Sequence, residues 1–263
     1  MTQKTDAEDA IYIKSVDMFG GEAVSKNAPD MSIIPVSVID IYSQGIREAE
    51  NHEATSSRAN YSPFPMEIVN LCYELYLRDS SFVFDPFAGW GERHDGAVRY
   101  GKKYVGYDIS DEAIESACNR FGVINTRADS LIVPPPQKFD GMLTCPPYWN
   151  LEEYANTGGI DRNKTWAQFL ENLTEIFKAA YIAANNGSIF CVMTGDWRKN
   201  HKYYDLTYQV DKMFELYGAV VVDKVTVSRK KISKIKIMLP QAKRLGYSVR
   251  VHESLHVYQK GAI

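Results

Sequence analysis

From about residue 61 onward, apolar positions follow two spacings. Short, mostly apolar runs that suit buried strands alternate with segments in which apolar residues recur every three or four positions, as in amphipathic helices. The strand-like runs are SFVFDP, KYVGYDIS, FDGMLTCPP, GSIFCVMTGD, AVVVDKVTVSR and VRVHESLHVYQ. The helix-like segments are MEIVNLCYELYLRD, GERHDGAVRYG, DEAIESACNRFG, TWAQFLENLTEIFKAAYIAAN and DLTYQVDKMFELYG.

This alternation predicts an α/β fold with a doubly wound sheet. A strand that is followed by a helix and then by another strand builds a mostly parallel sheet with helices on both faces. One further strand fits just before residues 128–130, ADS, and brings the predicted total to seven. We therefore expect a Rossmann-like, mostly parallel sheet of seven strands.

The first 58 residues lack this regular order. They contain one strand-like run, MSIIPVSVIDIY, and a charged stretch, REAENHEATSSRAN, that is typical of a loop or an exposed helix. We expect residues 1–58 to form an N-terminal extension and residues 59–263 to form the main domain.

Composition narrows the class of protein. Hydrophobic residues make up 45% and charged residues 24% of the 263 residues, as in ordinary globular proteins. The four cysteines include no CxxC pair, so they indicate neither a zinc site nor a disulfide framework. The start, MTQKTDAEDAIYIK, has no apolar signal core, and no run reaches the roughly 20 apolar residues of a membrane span. We expect a soluble, cytoplasmic protein.

Three acidic residues follow successive strands of the predicted sheet. Asp85 ends the run SFVFDP, and Gly89 and Gly91 then form a tight turn that opens a helix. Glycines there let a ligand approach the backbone, and the helix N-terminus offers N–H donors. Asp108 ends the next strand, where a carboxylate can accept hydrogen bonds from ribose hydroxyls, and Asp129 lies near the end of a third.

Together these residues predict a pocket for a nucleoside. A dinucleotide-dependent dehydrogenase uses the same fold and the same ribose carboxylate. Its fingerprint, GxGxxG, is incomplete here, because GWGERHDG lacks the third glycine at the required spacing. The Asp-Pro-Phe sequence before the glycines also has no role in that fingerprint.

Three blocks resemble those of the amino-group DNA methyltransferases, which methylate adenine N6 or cytosine N4. They are DPFAGWG, GYDIS and TCPPYWNLEEY. YSPFP and the closing VHESLHVYQK also resemble family blocks, so the likeness spans residues 61–260, and IIPVSVIDIYSQGIREAE resembles the lead segment of phage-type members. The resemblance implies a methyltransferase catalytic domain over 59–263, S-adenosylmethionine as cofactor and double-stranded DNA as partner, in a bacterial cell or a phage-infected host.

The resemblance also assigns roles to individual residues. The positions implied in cofactor binding are Tyr61, Pro63, Asp85, Pro86, Phe87, Gly89, Gly91, Asp108, Ile109 and Asp129. The positions implied in catalysis form one tetrapeptide, Cys145, Pro146, Pro147 and Tyr148. No metal is implied, and the five histidines show no metal-ligand spacing.

A Pro-Pro-Tyr sequence suits methyl transfer to an exocyclic amine. The nitrogen lone pair of such an amine is delocalised into the base, so acceptors must hold its two N–H groups and turn the nitrogen toward sp³ geometry. Prolines lack an N–H, so a rigid pair presents its carbonyl groups without competing donors. Tyr148 would stack on a base that is flipped out of the duplex.

Cys145 departs from the family pattern, which has Asp, Asn or Ser at this position. A thiol is a weaker hydrogen-bonding group. As the close analogue of Ser, it favours cytosine N4 over adenine N6 as the target. Three alternatives stay open: adenine N6, a thiolate that attacks the pyrimidine ring, and a methyltransferase-fold protein that binds nucleic acid without catalysis or acts on RNA or a small molecule.

A basic segment near residues 229–250 is the candidate surface for DNA. The net charge of the whole chain is -3, yet residues 224–250 contain nine cations and no Asp or Glu. The nucleic-acid contacts that we predict are Arg229, Lys230, Lys231, Lys234, Lys236, Lys243 and Arg244. A solvated hairpin is the alternative. Arg162, Lys164 and Trp166, which follow the tetrapeptide, are further candidates.

Overall fold

The structure is a computed structural model that describes residues 31, 35–41, 64–151, 158–229 and 235–261, without the side chains of 235–237. Five of the predicted site residues lie outside the described residues: Tyr61, Pro63, Lys230, Lys231 and Lys234. The predicted boundary at residue 58 lies outside them as well.

Strands and helices alternate along the described chain in the predicted order. The strands are β1 (Val38–Asp40), β2 (Phe82–Asp85), β3 (Lys103–Asp108), β4 (Thr126–Arg127), β5 (Gly141–Thr144), β6 (Ile189–Thr194), β7 (Trp197–Lys199), β8 (Lys202–Tyr204), β9 (Ala219–Ser228) and β10 (His252–Lys260). The α-helices are α1 (Met66–Leu71), α2 (Glu92–Arg99), α3 (Asp111–Phe121), α4 (Trp166–Ala183), α5 (Leu206–Leu216) and α6 (Ile235–Leu245). A π-helical turn, Cys72–Tyr76, continues α1, and a 3₁₀ turn, Ile160–Arg162, precedes α4.

Eight of the strands form one sheet in the order β1-β9-β10-β6-β5-β2-β3-β4. Strand β10 is antiparallel to both of its neighbours, β9 and β6, and the other pairs in the sheet are parallel. The expected doubly wound, mostly parallel sheet is confirmed. Its seven predicted strands are joined by an eighth, β1, which comes from the strand-like run of the first 58 residues and pairs with the end of β9.

Two elements differ from the sequence expectation. The segment between β9 and β10, expected as a basic insertion between strands, contains the helix α6. The residues after β6 form a small hairpin, β7 and β8, that the hydrophobic pattern did not predict. Asn200 and His201 at its turn have φ values of 50° and 64°, the left-handed conformation that tight two-residue hairpin turns require.

Aromatic side chains connect the sheet to the helices on one face. Phe84, Phe139, Phe190 and Phe214 form a chain of ring contacts with centroid distances between 5.4 and 6.3 Å. Phe214, on α5, stacks on Tyr258 of β10 at 4.2 Å and 4°. All five side chains are almost fully buried. This layer holds α5 and β10 against the parallel part of the sheet.

Lys260, at the end of β10, is a buried lysine that caps helix α4. Its Nζ donates hydrogen bonds to the carbonyl oxygens of Tyr181 at 2.8 Å, Ala184 at 2.9 Å and Ile182 at 3.3 Å. The last carbonyl groups of a helix have no partner within it, and a cation there also complements the helix dipole. The lysine therefore supplies the partners that the C-terminal turn of α4 lacks.

We predict that Lys260→Met destabilises the protein by about 1 to 3 kcal/mol, because the buried carbonyl groups of α4 lose their donor. Urea unfolding measures this change. The matched control is Lys178→Met on the exposed side of the same helix, for which the free energy of unfolding should change by less than about 0.5 kcal/mol. Equal changes for the two variants would contradict the capping role.

Candidate functional site

The candidate site lies where β2, β3 and β5 end, at one edge of the sheet. Asp85 and Asp108 are the last residues of β2 and β3, and Cys145 follows the last residue of β5. These strands are parallel neighbours, so their carboxyl ends meet at the same edge. In open α/β sheets, ligands bind in the crevice outside this edge.

Asp85 forms the base of the site and is fully buried. One carboxylate oxygen accepts hydrogen bonds from the Phe87 backbone N–H at 2.9 Å and from the Thr144 hydroxyl at 2.6 Å. The other accepts from Arg93 Nε at 2.6 Å and from the Tyr104 hydroxyl at 2.8 Å. Asp85 therefore ties together β2, β3, β5 and α2 and holds the loop that follows it.

Arg93 is a buried member of this network that the sequence prediction did not include among the site residues. Besides its ion pair with Asp85, it donates to the carbonyl oxygen of Phe87, and its guanidinium lies 4.6 Å from the ring centroid of Phe64. The sequence signal that could have indicated this role is the position of Arg93, eight residues after Asp85 and at the start of α2. The arginine neutralises Asp85 and fixes the backbone of the loop between β2 and α2.

Two glycines shape that loop. Gly89 and Gly91 have φ values of 56° and 96°, in the left-handed region that glycine tolerates. A Cβ atom on Gly91 would lie 2.6 Å from the Cβ atom of Ala117 on α3. The sequence prediction that these glycines form a tight turn into a helix agrees with this geometry, since Gly91 is the N-cap of α2.

Asp108 is half-buried at the end of β3 and faces the glycine loop. Its carboxylate accepts hydrogen bonds from Gly89 N–H at 2.7 Å and from Ser110 N–H at 2.8 Å. Burial raises the pKa of Asp108, and these two hydrogen bonds partly offset the shift. A carboxylate has about four acceptor positions, so two backbone donors leave it able to bind hydroxyl groups of a ligand.

The other predicted cofactor residues surround the same loop. Asp129 is half-buried and accepts a hydrogen bond from Leu131 N–H at 2.9 Å. The Ser130 hydroxyl donates a hydrogen bond to the carbonyl oxygen of Pro86 at 2.6 Å, which joins the segment that contains Asp129 to the loop after β2. Ile109 is half-buried directly after Asp108.

The tetrapeptide after β5 begins with a half-buried cysteine. Burial raises the pKa of the Cys145 thiol to about 12, so the thiol stays protonated at neutral pH. Its Sγ lies 4.0 Å from the carbonyl oxygen of the buried Pro146. Pro147 and Tyr148 are half-buried, so the tetrapeptide reaches toward solvent from the strand end.

Tyr148 is held by residues from the far end of the chain. Its hydroxyl donates to a Glu253 carboxylate oxygen at 2.8 Å, and the other Glu253 oxygen lies 2.5 Å from Arg229 Nε. Arg229 is one of the predicted nucleic-acid contacts, whereas Glu253 has no predicted role. The HE pair at the start of the closing block was the signal for Glu253.

An aromatic cluster lies beside Tyr148. The ring of Trp197 on β7 meets that of Tyr148 edge-on, with centroids 5.6 Å apart. Trp149, Trp166 and Tyr204 complete the cluster, with centroid distances between 5.2 and 5.8 Å. The β7–β8 hairpin supplies Trp197 and Tyr204, so this unpredicted element forms one wall of the site.

A cleft of 390 Å³ adjoins this cluster. Trp149 provides an aromatic face, and the cleft is lined by three cations, Arg162, Lys164 and Lys199, and by one acid, Asp161, which lies 3.9 Å from Arg162. Lys199 also binds the side chain of Asn150 at 3.0 Å. The lining of the cleft therefore carries a net positive charge that comes from residues outside the predicted basic segment.

Acids from other elements neutralise part of the basic segment. Lys224 pairs with Asp211 at 2.8 Å, Arg250 pairs with Asp196 at 2.7 Å, and Arg229 pairs with Glu253. The segment itself contains no acid, so the sequence did not show these pairs. Lys243 and Arg244 lie exposed on α6, and the side chain of Lys236 lies outside the described residues.

Two further findings concern metals and membranes. Among the described residues, no cluster of three or more His, Cys, Asp or Glu side chains is placed to hold a metal ion. His256 instead contacts Asp211 at 2.7 Å.

Among the residues that the structure describes, no helix is both long and apolar enough to span a bilayer.

Comparison with known proteins identifies the fold. No protein-family model and no curated protein matches the chain. The N-methyltransferase NodS from Bradyrhizobium japonicum WM9, solved with S-adenosyl-L-homocysteine, has a TM-score of 0.52 at 13% identity, over 80% of this chain and 94% of NodS. A second NodS structure gives 0.51 at 13% identity, over 74% and 96%. TrmN from Thermus thermophilus gives 0.49 at 13% identity, over 75% of this chain and about half, 49%, of TrmN.

The chain has a class I methyltransferase fold. The two NodS superpositions cover most of both chains, and β10, the one strand of the eight-stranded sheet that is antiparallel to its neighbours, lies between β9 and β6. At 13% identity the likeness concerns the fold alone. The predicted fold class is thus confirmed, while cofactor and substrate must be argued from the site.

We predict that Asp85→Asn destabilises the protein by about 3 to 5 kcal/mol, because Arg93 is left charged and buried without its anion. The control is Asp95→Asn on the same helix as Arg93. Asp95 pairs with Arg99 at the surface, and its loss should cost less than about 1 kcal/mol. Denaturant unfolding compares the two. Similar losses would show that Asp85 is not the centre of the network.

Proposed function

We propose that the protein is an S-adenosylmethionine-dependent methyltransferase that acts on an exocyclic amine of a DNA base, with cytosine N4 favoured over adenine N6. One observation carries the proposal. The half-buried carboxylate of Asp108 and the Cys-Pro-Pro-Tyr tetrapeptide lie at the same edge of a class I methyltransferase sheet. In this proposal Asp108 would bind the nucleoside and the tetrapeptide would hold the target amine at that edge.

The cofactor half of the site suits a nucleoside. Asp108 would accept hydrogen bonds from the ribose hydroxyl groups, and Asp129 would lie toward the adenine amine. The backbone of Gly89 and Gly91, without side chains, would let the ligand approach. S-adenosylmethionine supplies an activated methyl group on its sulfonium, so the protein has mainly to position the two reactants.

The tetrapeptide suits a target amine. The Cys145 Sγ and the Pro146 carbonyl oxygen are 4.0 Å apart, a separation at which both can contact one amino group. Proline lacks an N–H, so no backbone donor competes for the same acceptors. The Tyr148 ring, fixed beside them, would stack on the flipped base.

The protonation state of Cys145 favours an amine over a ring carbon as the target. Methylation of the pyrimidine ring carbon needs a thiolate nucleophile, and the pKa of about 12 leaves Cys145 protonated at neutral pH. A neutral thiol can still donate or accept a weak hydrogen bond. The replacement of Asp, Asn or Ser by Cys also supports the second candidate, a catalytically inactive protein of this fold that binds nucleic acid.

Double-stranded DNA is the proposed partner. Arg162, Lys164 and Lys199 outnumber the one acid of the cleft, Asp161, and support a polyanion there, as do Lys243 and Arg244 exposed on α6. The same charges suit RNA, so the substrate assay must offer both nucleic acids.

We predict that Asp108→Ala weakens S-adenosylmethionine binding by about tenfold to a hundredfold, because hydrogen bonds to a charged group contribute about 1.5 to 3 kcal/mol. Isothermal titration calorimetry measures the affinity. The control is Asp111→Ala, a nearby exposed acid that pairs with Arg127 and should leave the affinity unchanged. Unchanged affinity of the Asp108 variant would remove this residue from the cofactor site.

We predict that the protein forms N4-methylcytosine in duplex DNA, and that Cys145→Ser keeps or raises the rate because a hydroxyl is the better hydrogen-bonding group. The assay incubates methyl-labelled S-adenosylmethionine with DNA or RNA of mixed sequence and identifies the product nucleoside by mass spectrometry. If N6-methyladenine is the only product, the target is adenine N6 and the preference for cytosine N4 is wrong. Formation of 5-methylcytosine together with an inactive Cys145→Ser variant would refute the proposal, and no product on either nucleic acid would favour the inactive binding protein.

A further inference from the structure

The tyrosine of the tetrapeptide is fixed by two groups from the C-terminal part of the chain, Glu253 on β10 and Arg229, which follows β9. Its hydroxyl donates to Glu253 at 2.8 Å, and Glu253 is held in turn by Arg229 at 2.5 Å. The Glu253 and Arg229 side chains are only 17% and 26% exposed. In such an environment a charge-assisted hydrogen bond is stronger than it would be in water.

Packing restricts the same tyrosine. A Cβ atom on Gly195, just after β6, would lie 3.2 Å from the Tyr148 hydroxyl oxygen and 3.3 Å from Glu253 Cγ. The absence of a side chain at residue 195 thus creates the space in which the hydroxyl meets the carboxylate. Trp197 closes the next side with its edge-on contact at 5.6 Å. The ring is therefore held by a hydrogen bond at its tip and by packing along its edge.

The ion pair also acts electrostatically on the cysteine. Arg229 and Glu253 shift the pKa of the Cys145 thiol in opposite directions, and their effects on it are smaller than that of burial. The pair therefore adds little net charge at the amine-binding loop. A carboxylate without Arg229 would instead place a negative charge beside a site for a polyanion.

We propose that Glu253 is a positioning residue that, together with Arg229, fixes the Tyr148 ring before a target base arrives. This inference rests on the proposed function, in which Tyr148 stacks on the base. If the ring is already held in its binding orientation, the entropy cost of ordering its side chain does not have to be met when the base binds. In this view Arg229 serves to hold Glu253 and does not act as a phosphate contact.

A double-mutant cycle tests the inference with Tyr148→Phe, Glu253→Ala and the double variant. Glu253→Gln is the conservative variant, because its amide oxygen can still accept from the tyrosine hydroxyl. The control is Glu215→Ala, which removes an exposed acid that pairs with Lys212 on α5. Three quantities are measured: the melting temperature of the free protein, the affinity for S-adenosylmethionine, and kcat and KM on the nucleic acid that the wild-type protein methylates.

We expect Tyr148→Phe and Glu253→Ala each to lower kcat by about tenfold. The kcat of the double variant should be no lower than that of the single variants, because both substitutions remove the same hydrogen bond. Glu253→Gln should retain kcat within about threefold of the wild type. The affinity of each variant for S-adenosylmethionine should stay within about twofold of the wild-type value, since the substituted residues do not contact the glycine loop. The melting temperatures should show the same lack of additivity without any substrate.

Two outcomes overturn the inference. One is a Glu253→Ala variant with wild-type kcat, and the other is a double variant whose loss is the product of the single losses. Non-additive melting temperatures with additive kinetics would make the contact purely structural and would also reject the positioning role. These results require an active wild-type enzyme. A wild-type protein that methylates neither DNA nor RNA would instead refute the proposed function, and the positioning role with it.

Discussion

The fully buried carboxylate of Asp85 is the interaction on which the rest of the site depends. Its two oxygens receive four donors, which come from the loop after β2, from α2, from β3 and from β5. A buried carboxylate is tolerated only when a counter-charge and hydrogen bonds replace its water shell, and Arg93 supplies the counter-charge. Because two of these partners, Phe87 and Thr144, lie where β2 and β5 end, satisfying this one charge also fixes the edge of the sheet at which a ligand can bind.

Two halves of the site follow from this constraint. The donor from Phe87 sets the start of the glycine loop, whose Gly89 N–H then binds Asp108, so the proposed cofactor residues are anchored through backbone groups. The donor from Thr144 fixes the last residue of β5, directly before Cys145. The position of the cysteine therefore depends on the same carboxylate as the glycine loop. Such coupling suits a reaction in which the protein mainly brings two reactants together.

Local sequence was enough to predict the parallel strands and the strand-end acids, because the hydrophobic period and turn residues determine both. Asp108 and the glycine turn were predicted this way. Arg93 was left out of the predicted site residues, because its partner Asp85 becomes a neighbour only through the turn of α2. The β7–β8 hairpin was missed because its strands are three residues long, too short for an alternating pattern. Its left-handed Asn200 carried the only local signal.

The largest gap between sequence and structure concerns charge. A run of nine cations without an acid predicts a phosphate-binding surface, yet pairing depends on contacts across the sheet that no local pattern contains. Arg229 meets Glu253 because β10 returns antiparallel beside β9 and places its first residues at the same edge as the end of β9. The pair then reaches Tyr148, 105 residues earlier in the chain than Glu253. The one strand of the eight-stranded sheet that runs antiparallel to its neighbours thus turns part of a basic segment into support for Tyr148.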